Sequence, residues 1–130
     1  MSPVRFALLC LVLSCGHQGV LSDRLTGTWD FTLGDEWSGT LTISTVRQTD
    51  SRIFGDATMK HLTDGTLRAG WIEGWYSGSE GVTLAFHAKY NATYEYPAIF
   101  FETHNVNCCQ LLGYAIGAGL SGPAFTATRR

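Results

Sequence analysis

Apolar and polar residues alternate along most of the chain beyond residue 22, and turn-forming residues interrupt the alternation at short intervals. A period of two residues is typical of β-strands with one buried face, and no stretch of this region shows the longer period of an amphipathic helix. The pattern predicts eight strands, at residues 24–33, 37–46, 52–61, 66–76, 81–90, 93–104, 107–116 and 120–129.

The connections between these strands are short, and most contain Gly, Asn or Asp, which tolerate the backbone of tight hairpins. Short connections make sequence neighbours antiparallel neighbours in space. A meander of eight strands leaves two free edges unless it closes on itself. We therefore predict an all-β fold, a small eight-stranded antiparallel up-and-down β-barrel, whose interior is either filled by side chains or shaped around one small ligand.

The alternation also predicts which side chains face the barrel interior. On the second, fourth and fifth strands we expect the more apolar side to face inward. The predicted inward set comprises Trp37, Leu41, Ile43, Leu67, Ala69, Trp71, Trp75, Val82, Leu84, Phe86, Ala88 and Tyr90. Glu73 shares the side of Trp71 and Trp75, so the pattern predicts a carboxylate within this aromatic lining.

The predicted sixth and seventh strands are apolar on both sides. Phe100 and Phe101 occupy opposite faces of one strand, and Leu111 and Leu112 do so in the next. A wall that is apolar on both faces predicts a covered exterior, and we expect a homo-oligomer through residues 93–104 and 107–116. Pro97 lacks a backbone donor, which predicts a bulge or an edge near it.

Residues 1–22 are typical of an export signal. Arg5 precedes an apolar run at residues 6–13, which is too short to span a bilayer. Two processing sites compete: residues 12–15 resemble a bacterial lipobox, with residues 1–14 removed, Cys15 lipidated and residues 15–22 as a tether, whereas cleavage after Ser22 releases a free domain. We expect an exported protein, either a bacterial cell-envelope lipoprotein or a secreted or periplasmic protein, with the barrel at residues 23–130.

Size and charge narrow the function classes. A chain of 130 residues has room for one domain. Nine basic residues against eleven acidic ones give a net charge of −2 and no basic stripe, which disfavours nucleic acid as a partner. Lys and Arg are scattered singly, so we expect membrane contact only through the lipid anchor.

Residues 25–29 read Leu-Thr-Gly-Thr-Trp, and residues 125–129 read Phe-Thr-Ala-Thr-Arg. This combination resembles the signature of calycin-type barrels, the group of lipocalins, fatty-acid-binding proteins and avidins. The resemblance implies that Arg129 lies against the Trp29 ring where the first and last strands meet, with Gly27 giving clearance. The layout is most similar to avidin, but Phe31 and Asp35 stand where the avidin pattern has Asn and Ser, so biotin binding is not implied.

No residue pattern indicates a catalytic site, a metal site or a cofactor. His61, His87 and His104 are dispersed over three predicted strands, and no nucleophile, phosphate-loop or dinucleotide motif occurs. Cys108 and Cys109 are adjacent. We expect them to be buried thiols, with a vicinal or intermolecular disulfide as the alternative.

These features favour a non-enzymatic protein that binds a small apolar or aromatic molecule. We expect the ligand to enter the barrel and to contact seven residues, Trp37, Leu41, Trp71, Glu73, Trp75, Phe86 and Tyr94, with Glu73 as the polar anchor. The alternative is a structural or interaction module, a cell-envelope lipoprotein or oligomeric barrel whose own aromatic side chains fill its interior.

Overall fold

The computed structural model describes residues 24–77, 81–89, 91–106 and 109–130. The predicted leader, with both of its processing sites and Cys15, lies outside the described residues, and so does Cys108. Over the part of the chain that is described, no helix is long and apolar enough to cross a membrane.

Eight antiparallel strands close into one barrel in sequence order, which confirms the predicted fold class. The strands are β1 (Gly27–Leu33), β2 (Trp37–Arg47), β3 (Arg52–His61), β4 (Leu67–Ser77), β5 (Gly81–Ala88), β6 (Ile99–Val106), β7 (Gln110–Gly117) and β8 (Leu120–Arg129). β1 pairs with both β2 and β8, so the barrel has no free edge.

The strand boundaries agree with the prediction to within three residues, except at the start of the sixth strand. β6 begins at Ile99 rather than residue 93 because the preceding segment forms a turn of its own. The Asn91 side chain accepts hydrogen bonds from the backbone N–H groups of Thr93 and Tyr94, at 2.8 and 3.0 Å. Pro97 follows in irregular backbone, since it cannot donate to a strand ladder.

One end of the barrel holds the start of β1 and the end of β8, and we call it the terminal end. Leu25 is fully buried there, and its carbonyl oxygen accepts a hydrogen bond of 2.9 Å from the Trp29 indole nitrogen. The Arg129 guanidinium carbon lies 5.6 Å from the Trp29 ring centre, so the contact implied by the calycin resemblance is present. Arg129 also donates to the carbonyl oxygens of Arg24 and Thr26, which fixes the entering chain across this end.

Four phenylalanine rings fill the middle of the barrel. Phe31, Phe101 and Phe125 lie within 4.6 to 5.6 Å of one another by ring centres, and Phe86 is 6.2 Å from Phe101. All four side chains are at most 2% exposed. Their burial contributes much of the hydrophobic stabilisation of the fold.

The predicted inward faces of β2 and β5 are confirmed. The side chains that the pattern assigned to the interior are buried, namely Trp37, Leu41, Ile43, Val82, Leu84, Phe86 and Ala88. Residue 90, which was assigned to the same set, lies outside the described residues.

The predicted facing of β4 is wrong. Ile72, which was assigned to the exterior, is 1% exposed, whereas Trp71 and Trp75 are 37% and 44% exposed on the outer surface. Leu67 is 72% exposed, and Ala69 is exposed as well. The larger side chains of this strand therefore lie outside the barrel.

Two glycines on the inner side of β4 explain this reversal. A Cβ atom added to Gly70 would lie 1.9 Å from the His87 carbonyl oxygen, and one added to Gly74 would lie 2.1 Å from that of Thr83. Because the β5 backbone approaches so closely, no side chain fits at either inward position. The large side chains of β4 must therefore lie on its outer face.

Candidate functional site

The seven predicted ligand contacts do not form one site. Leu41 and Phe86 lie in the packed middle of the barrel, and Trp37 lies inside the barrel at the end opposite the terminal end, which we call the distal end. Tyr94 is 66% exposed in the segment between β5 and β6. The other three predicted contacts, Trp71, Glu73 and Trp75, lie on the outer face, so a ligand inside the barrel would not touch them.

Side chains from four parts of the chain meet at the distal end, and we call this group the distal cluster. It consists of Trp37, His61, Arg68 and Tyr96. Trp37 begins β2 and is paired in register with His61 at the end of β3. The two rings meet edge to face, with their centres 4.8 Å apart, and Trp37 is only 7% exposed.

Arg68 is the central member of the distal cluster. Its guanidinium carbon lies 4.2 Å from the Tyr96 ring centre and 5.1 Å from the Trp37 ring centre, so two aromatic rings flank the cation. Its Nε atom is buried and has no hydrogen-bond partner. Within the described ranges, Arg68 also has no ion pair with a carboxylate.

Tyr96 reaches the cluster from the irregular segment before β6. Its backbone N–H donates to the Ala88 carbonyl oxygen at 2.9 Å, and a single β-bridge joins Lys89 to Glu95 just beside it. The ring is half-buried and packs against the core. These backbone contacts hold an aromatic side chain next to Arg68 although the segment is not part of a strand.

The turn between β3 and β4 places Asp64 close to the distal cluster. The Asp64 carboxylate accepts a hydrogen bond of 2.9 Å from the Thr66 backbone N–H, which lowers the pKa of Asp64 below its ordinary value. His61 Nδ1 lies 3.3 Å from the same carboxylate, and it accepts a hydrogen bond from the Thr63 backbone N–H. His61 is thereby held in the orientation in which it contacts Trp37.

Sequence reasoning missed three of the four members of the distal cluster. It assigned Arg68 to the exterior because it predicted that the other side of β4 would face inward, and it placed Tyr96 in a regular strand. One signal in the sequence points the other way: Gly70 and Gly74 share a strand face with Arg68, and glycines recurring on one face of a barrel strand often mark inward positions.

Glu73, the predicted polar anchor, belongs to a charged group on the outer face. Its carboxylate lies 3.4 Å from Arg52 Nη2 and 3.5 Å from His87 Nε2. The His87 imidazole stacks on the Trp71 indole with ring centres 4.1 Å apart. In the described part of the chain no three His, Cys, Asp or Glu side chains are grouped so as to hold a metal ion.

The outer surface of the described strands offers two further features. A shallow depression of about 470 Å³ crosses β8, β1 and β2, and its lining is mainly hydroxyl-bearing, without an exposed aromatic ring. On β7, Tyr114 and Ile116 are 43% and 41% exposed, which confirms that this strand is apolar on both faces. Cys109 is exposed, so the prediction of a buried thiol is wrong at that position.

No protein-family model and no curated protein matches the chain. Among solved structures the chain is similar to designed barrels. One is a redesigned β-barrel, mFAP1, bound to DFHBI, with a TM-score of 0.65 and 12% identity over 84% of this chain and 97% of that one. Another is a de novo designed fluorescence-activating β-barrel, with a TM-score of 0.62 and 13% identity over 85% and 99% of the two chains. A third, EF1p2_mFAP2b bound to DFHBI, has a TM-score of 0.62 and 13% identity over 85% and 100%. At these identities the likeness shows a shared fold, the closed eight-stranded barrel.

Proposed function

We propose that the protein binds a small aromatic or apolar molecule at the distal end of its barrel, without catalysis. The observation that carries this proposal is the distal cluster, in which Trp37, Tyr96 and a flanked cation meet where the packed interior ends. Aromatic surface combined with a few polar groups is the usual composition of small-molecule sites. Two of the similar barrels are bound to DFHBI, which supports the idea that this architecture can hold such a ligand.

The proposal moves the ligand from the middle of the barrel to its end. Phe31, Phe86, Phe101 and Phe125 already occupy the middle, so a ligand there would have to displace them. Such displacement costs packing energy at each ring. A planar molecule that lies over the half-buried Tyr96 ring and the small exposed edge of Trp37 would stay outside the packed rings and would not displace them.

Tryptophan fluorescence tests the location directly, because the four tryptophans lie in three different places. Trp29 is buried at the terminal end, Trp37 lies in the distal cluster, and Trp71 and Trp75 are outside. We expect the neutral probe N-phenyl-1-naphthylamine, and DFHBI as a second probe, to quench the emission saturably. The quench should disappear in Trp37→Phe and persist in the matched variant Trp75→Phe. An equal quench in both variants, or none in the wild type, would contradict the proposal.

A second candidate function is an interaction module that associates with another copy of itself. Tyr114 and Ile116 are each more than one-third exposed on the outer face of β7, and exposed apolar surface of this kind is a common site of protein contact. Light scattering tests this idea. We expect a dimer that dissociates in the Tyr114→Glu, Ile116→Glu double variant, and a wild-type monomer at micromolar concentration would exclude it.

We also propose that the protein is exported, on the strength of the predicted leader at residues 1–22. Expression of the full chain in a bacterial host followed by mass spectrometry tests this. A lipid-modified N-terminus at Cys15 supports the lipoprotein, and an N-terminus at Asp23 supports free secretion. A mature protein that retains residues 1–22 contradicts both.

A further inference from the structure

Arg68 differs from the arginines on the outer surface in what surrounds its charge. Arg47 contacts Asp50 at 2.7 Å, Arg52 contacts Glu73 at 3.4 Å, and Arg130 contacts Asp30 at 2.9 Å. Each of these three arginines is therefore paired with a carboxylate. Arg68 points into the barrel, and its neighbours are two aromatic rings.

The rings satisfy only part of what a guanidinium requires. A cation over aromatic faces gains electrostatic attraction, but five N–H donors remain and prefer oxygen acceptors. Nε of Arg68 is buried with no acceptor. The two terminal nitrogens make no hydrogen bond to the described residues, but they are not buried, so solvent reaches them.

Stability alone does not account for an arginine at this position. Ile72, two inward positions farther along β4, shows that this face of the strand accepts an apolar side chain, and a buried Nε atom without an acceptor is unfavourable. An oxyanion would supply the missing acceptors through the paired N–H geometry that makes arginine a specific carboxylate ligand.

We infer that the ligand of the distal end is an aromatic anion, whose carboxylate or similar oxyanion group binds the Arg68 guanidinium while its ring lies over Tyr96 and the small exposed edge of Trp37. The inference rests on the proposed function and adds the ligand's charge to it. It also moves the polar anchor from the Glu73 side chain, which lies outside the barrel, to the Arg68 side chain inside it.

A matched pair of fluorescent probes tests the charge. 8-Anilinonaphthalene-1-sulfonate is anionic, and N-phenyl-1-naphthylamine has the same ring system without the sulfonate. We expect the wild type to bind the anionic probe at least about tenfold more tightly, as one charge-assisted contact predicts. In Arg68→Met that preference should vanish, while the neutral probe keeps its affinity within about threefold. The preference of Arg68→Lys for the anionic probe should lie between that of the wild type and that of Arg68→Met, because an ammonium retains the charge without the paired donors.

Arg47→Met is the control, since Arg47 is an exposed arginine on the outer surface. We expect it to leave both affinities unchanged, and circular dichroism should show a folded barrel for every variant. Equal binding of the two probes by the wild type, or an unchanged preference in Arg68→Met, would overturn the inference and leave the proposed function standing. Failure of both probes to bind would overturn the proposed function itself.

Discussion

At the scale of single residues, Arg129 links the last strand of the barrel to the first strand and to the chain that enters it. Its guanidinium lies over the Trp29 ring and donates to two carbonyl oxygens of the entering chain, so it joins β8, β1 and residues 24–26. Gly27 packs beside the Arg129 guanidinium, and its φ of +134° is one that glycine adopts readily and residues with a side chain rarely adopt. The contact is therefore structural.

Arg129→Lys should destabilise the barrel by about 1–3 kcal/mol, because an ammonium cannot stack on the indole and reach both carbonyl oxygens at once. Urea unfolding followed by circular dichroism measures the loss. The neighbouring Arg130→Lys is the control, since Arg130 is exposed and keeps its charge in this substitution, and a change within about 0.5 kcal/mol is expected. Equal effects of the two substitutions would refute the assigned role of Arg129.

Gly70 supports a second prediction at this scale. Gly70→Ala should cost about 1–3 kcal/mol, because its Cβ would collide with the β5 backbone and force the two strands apart. Ala69→Val adds more volume to the next residue but on the exposed side, and its effect should stay within about 0.5 kcal/mol. Gly70→Ala adds one carbon on the inner face of β4, and Ala69→Val adds two carbons on the outer face. A larger loss of stability in Ala69→Val than in Gly70→Ala would refute the assignment of the Gly70 side of β4 to the interior.

At the scale of elements, the strands were predictable and the facing of β4 was not. A strand and its hairpins are encoded locally by alternation and turn residues, which is why β2, β3 and β8 begin where the pattern placed them. The facing of β4 depends on how closely β5 approaches it, and that distance is a property of the closed barrel. Trp71 and Trp75 make the outer side more apolar than the inner one, so the local rule selected the wrong side.

The sequence pattern could not predict the distal cluster, for the same reason. Arg68 belongs to the cluster because its side of β4 faces inward, opposite to the predicted facing. Tyr96 belongs to it because the segment after Ala88 leaves the sheet. Both facts depend on the path of the chain in space. By contrast, the pairing of Trp29 with Arg129 was foreseeable, since the resemblance supplied a long-range contact that the local pattern lacks.

The pairing of β1 with β8 leads to a pH prediction. Arg130 donates to the Asp30 carboxylate from Nη2 at 2.9 Å, and this hydrogen bond lowers the pKa of Asp30 below its ordinary value of 3.8. The contact therefore stabilises the fold above about pH 3.8, and this contribution is lost as pH falls through the lower pKa of the folded state.

Asp30→Asn should accordingly have a lower urea midpoint than the wild type at pH 6, and the difference should shrink as the pH falls below 3.8. Asp56→Asn, which removes an exposed carboxylate without an ion pair to the described residues, should show no such convergence. The shift should be small, because both partners are largely exposed and solvent screens the pair. A difference that persists unchanged at about pH 2 would mean that the charge of Asp30 is not its cause.

At the scale of the whole molecule, the barrel is divided along its axis. The terminal end is sealed by Trp29 and Arg129, the middle is packed with phenylalanine rings, and the distal end carries Arg68 between two aromatic side chains. A barrel of eight strands has an interior that side chains can just fill, so its own aromatic rings and a ligand compete for the same space. This division is what directs the proposed ligand to the distal end.

Phe101 gives the sharpest test of the filled middle, because it contacts Phe31, Phe86 and Phe125. Phe101→Ala should cost about 3–5 kcal/mol and leave an apolar cavity. Dry cavities of that kind bind benzene. We therefore expect benzene to raise the melting temperature of Phe101→Ala and to leave that of the wild type unchanged.

Phe100→Ala removes the same ring from the next residue, which is half-buried on the other face of β6, so it should cost less than half as much and show no rescue by benzene. If Phe101→Ala does not fold, Phe101→Leu gives a smaller cavity with the same expected order. Stabilisation of the wild type by benzene would show that the middle still has room for a guest. In that case the ligand belongs inside the barrel, among Leu41 and Phe86, and the distal cluster is only its entrance.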